Sequence, residues 1–290
     1  MERRSIARVV TAHRQLEGGG FPVRRPFPTA GLDQVDPFLL LDEMGPVEWR
    51  PGEAIGAPDH PHRGFETVTY VLAGRVHHED SQGHAGVIGP GDVQWMTAGA
   101  GVVHSEEPEE TFRREGGVMH GFQLWVNLPR SHKMIAPRYQ EIPKERIPEA
   151  TTEDGLVTVR VIAGRSMERE AVIDTHVPIT YLHFTVRPGG RHAQRVDRAQ
   201  AGFAYVFAGA GEISGHEVHE GQMAMLAPDG DVLVLAAPPA ATQPMELLLI
   251  AGEPIREPVV RYGPFVMNSK SEILEAVRDF SEGRLGAIQR

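Results

Sequence analysis

His60-Pro61-His62 and His104-Ser105-Glu106 constrain this chain more than any other feature. In an extended strand successive side chains alternate between faces, so residues two apart point the same way. Each triplet therefore aims two metal-ligating side chains at one side of a strand, and two neighbouring strands so equipped would enclose a cation. The flanks support strands. An apolar, threonine-rich run over residues 67–72 ends at Ala73-Gly74, which reads as a strand followed by a turn. The second triplet follows Gly89-Pro90-Gly91-Asp92 and the glycine-rich residues 98–101, whose Pro and Gly set tight backbone dihedrals.

Composition narrows the chemistry. The 290 residues suffice for two cores, and 32 Gly with 23 Pro suit a turn-rich β fold. Cysteine is absent, so neither a disulfide framework nor a thiolate metal site can form, and any metal must be held by nitrogen and oxygen. That fits a reducing cytoplasm. The N-terminal residues lack the apolar stretch of a signal peptide, and no apolar run approaches the roughly 20 residues of a membrane span. We expect a cytoplasmic protein without membrane contact. A formal net charge of −10 opposes nucleic-acid binding, which depends on clustered cations, and Arg24-Arg25 and Arg113-Arg114 read as solvated surface.

A divergent internal repeat organises the sequence. Tyr70-Val-Leu-Ala-Gly74 is echoed by Tyr205-Val-Phe-Ala-Gly209, and the residues from Gly91 to Met96 by those from Gly221 to Leu226, in the same order. Two similar barrels in tandem follow. Residues 129–148, rich in Pro and charge, read as a connector, which gives domains 1–132 and 133–290. Carried across the repeat, His60 and His62 become Arg195 and Asp197, while His104 and Glu106 become Val234 and Ala236, so the second barrel is expected to have lost its metal site. His192 lies nearby without a partner. One helix is legible: Ser269 or Ser271 caps a run over residues 272–280 in which Ile273, Leu274, Val277 and Phe280 share a face, with Gly283 beyond its end. It is expected to dock on the second barrel. Residues 209–215 have the wrong glycine spacing for a phosphate loop and read as a turn. No Gly-x-Ser-x-Gly elbow supports a serine hydrolase. Of His77, His78 and His84, which flank a turn, one of the first two could point inward.

The spacing Gly-x3-His-x-His-x3-Glu-x7-Gly, followed by Gly-x4-His, resembles the two motifs of the cupin superfamily. Asp59-His-Pro-His-Arg-Gly-Phe-Glu-Thr-Val68, Gly91-Asp-Val-Gln-Trp-Met-Thr-Ala-Gly99, His104-Ser-Glu106, Gly121-Phe-Gln-Leu-Trp-Val-Asn-Leu-Pro129 and Gly263-Pro-Phe-Val-Met-Asn268 narrow the similarity to the pirins, over nearly the whole sequence. The resemblance implies an all-β bicupin: two tandem antiparallel jelly-roll-type barrels with a short C-terminal helix. It implies one metal on His60, His62, His104 and Glu106, whereas Glu66 is left as a structural or supporting residue.

Three imidazoles and a carboxylate suit one divalent transition metal, with iron(II) favoured and Mn, Co, Ni, Cu or Zn as alternatives. Octahedral coordination would leave two positions for water, dioxygen or a chelating substrate. The resemblance implies either quercetin 2,3-dioxygenase activity on a small aromatic substrate with O2, or an iron-binding regulator acting on a protein partner. For the first, Phe38, Trp95, Met96, Phe122 and Trp125 are candidate pocket residues, and Glu106 is the candidate catalytic base.

Overall fold

A computed structural model describes residues 2–290. Strands dominate, and the central strands of the two large sheets pair antiparallel. Among the described residues no helix is long and apolar enough to cross a membrane. The molecule divides into two compact units, each a β-barrel made of one large and one small sheet.

The first barrel unit comprises residues 14–25, 38–144 and 255–290. Its seven-stranded sheet runs in the order Arg138–Ile142, Val93–Thr97, Phe65–Ala73, Gly117–Asn127, Phe38–Trp49, Phe21–Phe27, His13–Glu17. Its four-stranded sheet has the order Ala57–His62, Val102–Pro108, Val76–Asp80, Ala85–Ile88. Thr69 pairs with Gln123 in the large sheet, so two polar side chains share one face there. Phe38, Val68, Tyr70, Trp95, Phe122 and Leu124 are fully buried.

The second unit comprises residues 1–13, 26–37 and 145–254. It carries an apolar core: Val159, Val161, Leu182, Phe184, Val206, Leu233, Leu235, Leu247 and Leu249 form one cluster of buried side chains. Transfer from water at about 25 cal/mol per Å² of apolar area stabilises each such side chain by roughly 1.5–3 kcal/mol, so this cluster is a main source of the unit's stability.

The unit boundaries differ from the linear division at residue 132. Strand Ile6–Thr11 pairs with Gln222–Leu226, which draws the N-terminal strand into the second unit. Strand Arg138–Ile142 pairs with Val93–Thr97, which keeps the expected connector in the first. The helix Lys270–Ser281 also belongs to the first unit, where Ile273 and Ala276 pack with Val103, Phe265 and Met267; docking on the second barrel is therefore corrected. Backbone pairing and apolar contact, not proximity in sequence, decide membership.

That helix is capped as expected by Ser269, whose side chain accepts from the Glu272 amide, while Glu272 accepts from the Asn268 amide. Its inward face is not the expected stripe. Leu274 is 65% exposed, and Asp279 is buried in its stead because it faces Arg63. A second short helix, Glu110–Glu115, is not legible in the sequence; Glu109 caps it by accepting from the Phe112 amide.

Candidate metal centre

Strands Ala57–His62 and Val102–Pro108 are hydrogen-bonded neighbours, with His104 opposite His60 and Val102 opposite His62. The i, i+2 pair on the first strand and the facing residue on the second thus bring three imidazoles together. Ring centroids lie 4.3 Å apart for His60 and His104, 4.7 Å for His60 and His62, and 4.9 Å for His62 and His104. One ligand atom from each lies within 4.8 Å of the others, the only such cluster found among the described residues.

Each ring is oriented from behind. Nδ1 of His60 donates to the Pro58 carbonyl at 2.7 Å, and Nδ1 of His62 makes a longer contact of 3.4 Å with the Pro264 carbonyl. Nδ1 of His104 lies 3.5 Å from Nδ1 of His78. A carbonyl can only accept, so in the first two rings the proton sits on Nδ1 and the Nε2 lone pair is left for a cation. The buried Nε2 of His104 has no hydrogen-bond partner. Such an orphaned atom, set among two other imidazoles, fits a metal ligand.

Electrostatics agree with that fit. Burial, reinforced by neighbouring imidazoles, holds His62 and His104 well below the ordinary histidine pKa. Burial likewise lowers His78 to about 4. His62, His104 and His78 are therefore neutral at pH 7, the form in which an imidazole ligates a metal. His78 is the inward member of the His77-His78 pair. It is fully buried behind His104, and its role is to back that ring, which strand alternation alone left undecided.

Glu106 stands outside the three-imidazole cluster. The strand carries a bulge between His104 and Glu106, so Glu106 falls opposite Ala57. Its Oε1 accepts from Thr69 Oγ1 at 2.8 Å and its Oε2 from Gln123 Nε2 at 2.9 Å. Burial raises its pKa, although His60 and these two hydrogen bonds oppose the shift. Thr69 Oγ1 also lies 2.9 Å from Gln123 Oε1, so one hydroxyl proton serves two acceptors. Glu66 is buried and accepts from Thr97 Oγ1 at 2.6 Å, in keeping with a supporting role.

A pocket of about 90 Å³ reaches Glu106, Thr69 and Gln123. Its walls include Met44, Val47, Trp49, Ile55 and Met119. None of the five expected aromatic and Met candidates lines it. Phe38, Trp95, Met96 and Phe122 are core, and Trp125 packs against His62 and Phe65 at 5.2 and 4.4 Å. Trp49 and Met119 come together at one end of two paired strands, a proximity that sequence position does not reveal.

In the second unit the corresponding strand pair is Arg191–Arg195 with Val232–Ala236. Its inward residues are His192 and Gln194 on one strand and Leu233 and Leu235 on the other, whereas Arg195 is exposed. The sequence equivalence to Arg195, Asp197, Val234 and Ala236 is out of register, and a shift of an odd number of residues exchanges the faces of a strand. A single imidazole remains there, packed on Phe184 at 5.6 Å, and no metal-type cluster forms around it among the described residues.

Two antiparallel barrels, one with three converging histidines and the other with a single inward imidazole beside an apolar core, define a bicupin with one metal-type cluster among the described residues. Comparisons with known proteins make this specific. Residues 20–126 match the family described as Pirin, and residues 181–286 match the Pirin C-terminal cupin domain. The chain belongs to the pirin family. It is 43% identical to Pirin of Homo sapiens over 284 residues, covering 96% of this chain and 92% of that protein. It is also 43% identical to a Pirin-like protein of Solanum lycopersicum over 98% of this chain and 93% of the relative. The crystal structure of quercetin 2,3-dioxygenase from Acinetobacter baumannii superimposes with a TM-score of 0.92 at 36% identity, covering 99% of this chain and 100% of the other.

Proposed function

We propose that this protein is a metal-dependent dioxygenase that opens flavonol-type, quercetin-like substrates with dioxygen, using His60, His62, His104 and Glu106 to hold one divalent transition metal, with iron(II) the favoured ion. The observation that carries this reading is the position of Glu106: a carboxylate two residues along the strand from His104 of the imidazole cluster lines a largely apolar pocket. The similarity to a quercetin 2,3-dioxygenase of the same fold supports it. Bound there, a first-row cation would supply Lewis acidity and redox chemistry with dioxygen.

The protein's own residues supply the rest. Trp49, Met44, Val47 and Met119 offer an apolar slot for an aromatic ring and exclude water from the carboxylate. Thr69 and Gln123 fix the plane of Glu106, so that a substrate hydroxyl entering the slot meets an oriented base. Its proton passes to a carboxylate oxygen of Glu106, and the raised pKa makes that oxygen a better acceptor than a solvated carboxylate. The enclosed volume of about 90 Å³ is well below the roughly 300 Å³ typical of small-molecule sites, so a three-ring substrate requires the flexible Met44 and Met119 side chains to turn aside.

The test is oxygen uptake by the iron-loaded protein with a panel of flavonols, read together with flavonol consumption and carbon monoxide release. Uptake in stoichiometric step with flavonol loss is expected. If no flavonol drives oxygen uptake while oxidation of the iron changes affinity for a protein partner, the regulator reading replaces the enzyme.

A further inference from the structure

Lys133 is 1% exposed, and its ammonium hydrogen-bonds to no carboxylate among the described residues. All three of its protons are instead committed to oxygens: the Gly64 carbonyl at 2.7 Å, Asn127 Oδ1 at 2.8 Å and the Val266 carbonyl at 3.0 Å. Removing an ammonium from water without an ion partner is unfavourable, and solvation by three oriented oxygens is the minimum that makes such a site tolerable. A buried lysine of this kind is expected where its geometry serves a purpose.

Its partners identify that purpose. Gly64 lies two residues beyond His62, while Val266 lies two residues beyond Pro264, whose carbonyl faces His62 Nδ1. The two segments are also joined directly: Val266 N donates to the Arg63 carbonyl at 3.1 Å, and Arg63 bridges to Phe265. They approach so closely that a Cβ on Gly64, where φ is +87°, would sit 2.1 Å from the Val266 carbonyl oxygen. The Gly64 and Val266 carbonyl oxygens, both partially negative, converge on a single donor group, where a cation is favoured. Lys133 supplies that cation. Arg63 adds a second tie, donating to the Ala100 carbonyl at 2.6 Å and to Asp279 of the C-terminal helix at 2.8 Å.

We propose that Lys133 is a positioning residue for the metal site: by clamping the Gly64 and Val266 carbonyls together, it holds residues 264–266 against His62 and so sets the orientation of that ring. The segment that follows residue 254 is then a working part of the metal centre, because it carries the acceptor that fixes His62. This inference rests on the reading of His62 as a ligand, and it adds which residues aim it.

Cobalt(II) is the probe, because its visible absorption reports ligand geometry independently of turnover. Lys133→Met retains length and apolar bulk but removes all three donors. It should weaken cobalt affinity by about 10- to 100-fold, the usual effect of losing an outer partner of a ligating histidine, and alter the absorption bands. Ile88→Ala, in an apolar cluster with Val71 and Val76 that shares no residue with segment 264–266, is the control for general destabilisation. It should lower the melting temperature without changing the cobalt spectrum. If Lys133→Met does not fold, Lys133→Gln, which keeps two donors, carries the comparison with the same direction and a smaller effect. Unchanged affinity and spectrum in a folded Lys133 variant, or a change matched by Ile88→Ala, overturns the proposal. If the parent binds cobalt no better than its His60→Ala/His62→Ala variant, the ligand reading itself fails, and the inference falls with it.

Discussion

Glu106→Gln separates base catalysis from metal holding, because the surrounding hydrogen bonds can be kept while the basic oxygen is lost. In the parent, Oε1 accepts from Thr69 Oγ1 and Oε2 from Gln123 Nε2. An introduced amide can direct its oxygen to Gln123 Nε2 and its NH2 to Thr69 Oγ1. The Thr69 hydroxyl then donates to Gln123 Oε1, already 2.9 Å away. Every group stays satisfied, so the penalty of about 1–3 kcal/mol for an orphaned buried polar group does not arise, and a partly buried charge is removed. Apo stability should hold or rise slightly. Turnover should not: losing a general base lowers rate by about 10² to 10⁴, which at about 1.36 kcal/mol per decade is roughly 2.7–5.4 kcal/mol of barrier. The assay is flavonol consumption, oxygen uptake and carbon monoxide release at iron content matched to the parent, with metal measured by elemental analysis. A rate within tenfold of the parent at equal iron, or a rate loss that merely tracks iron loss, would refute the role of Glu106 as base.

Replacing His60 and His62 together by Ala should abolish binding of the single equivalent of metal by elemental analysis, since one imidazole and a carboxylate outside the cluster cannot chelate tightly; retention of one equivalent sinks the ligand assignment. Acid should destabilise the metal-free protein. His62 and His104 have folded pKa values depressed below the ordinary value of about 6.5, so as pH falls below that point the unfolded chain binds protons that the folded one does not. Their contribution is therefore full above about pH 6.5 and declines as pH falls through and below it; a denaturation midpoint that falls less steeply from about pH 7 to about 5 in the double His62→Ala/His104→Ala variant, which keeps the depressed His78, than in the parent is the expected pattern. In the second barrel, Leu249→Ala should cost about 2–5 kcal/mol in denaturant unfolding while leaving the metal equivalent intact; a coincident loss of metal would show that this barrel does more than fold.

Much of the site was legible because strand alternation is a local rule. His60, His62 and His104 could be assigned to a common space from i, i+2 spacing and the turns around them, and the three rings do meet. The same rule became unreliable wherever register had to be guessed. In the second barrel an odd shift exchanged His192 and Gln194 for Arg195 and Asp197. Between His104 and Glu106 a bulge sets the carboxylate with Thr69 and Gln123, partners that are 37 and 17 residues away in sequence.

What the sequence determined by itself was the chemistry available: antiparallel barrels, nitrogen and oxygen ligands without thiolate, and one barrel richer in ligands than the other. Those follow from residue type and spacing, which act over a few residues. The tertiary structure alone decided which distant segments complete the site. Trp49 and Met119 wall the pocket, His78 backs His104, and Lys133 ties Gly64 to Val266, because hydrogen bonds and van der Waals contacts depend on distance in space and carry no record in the order of the residues.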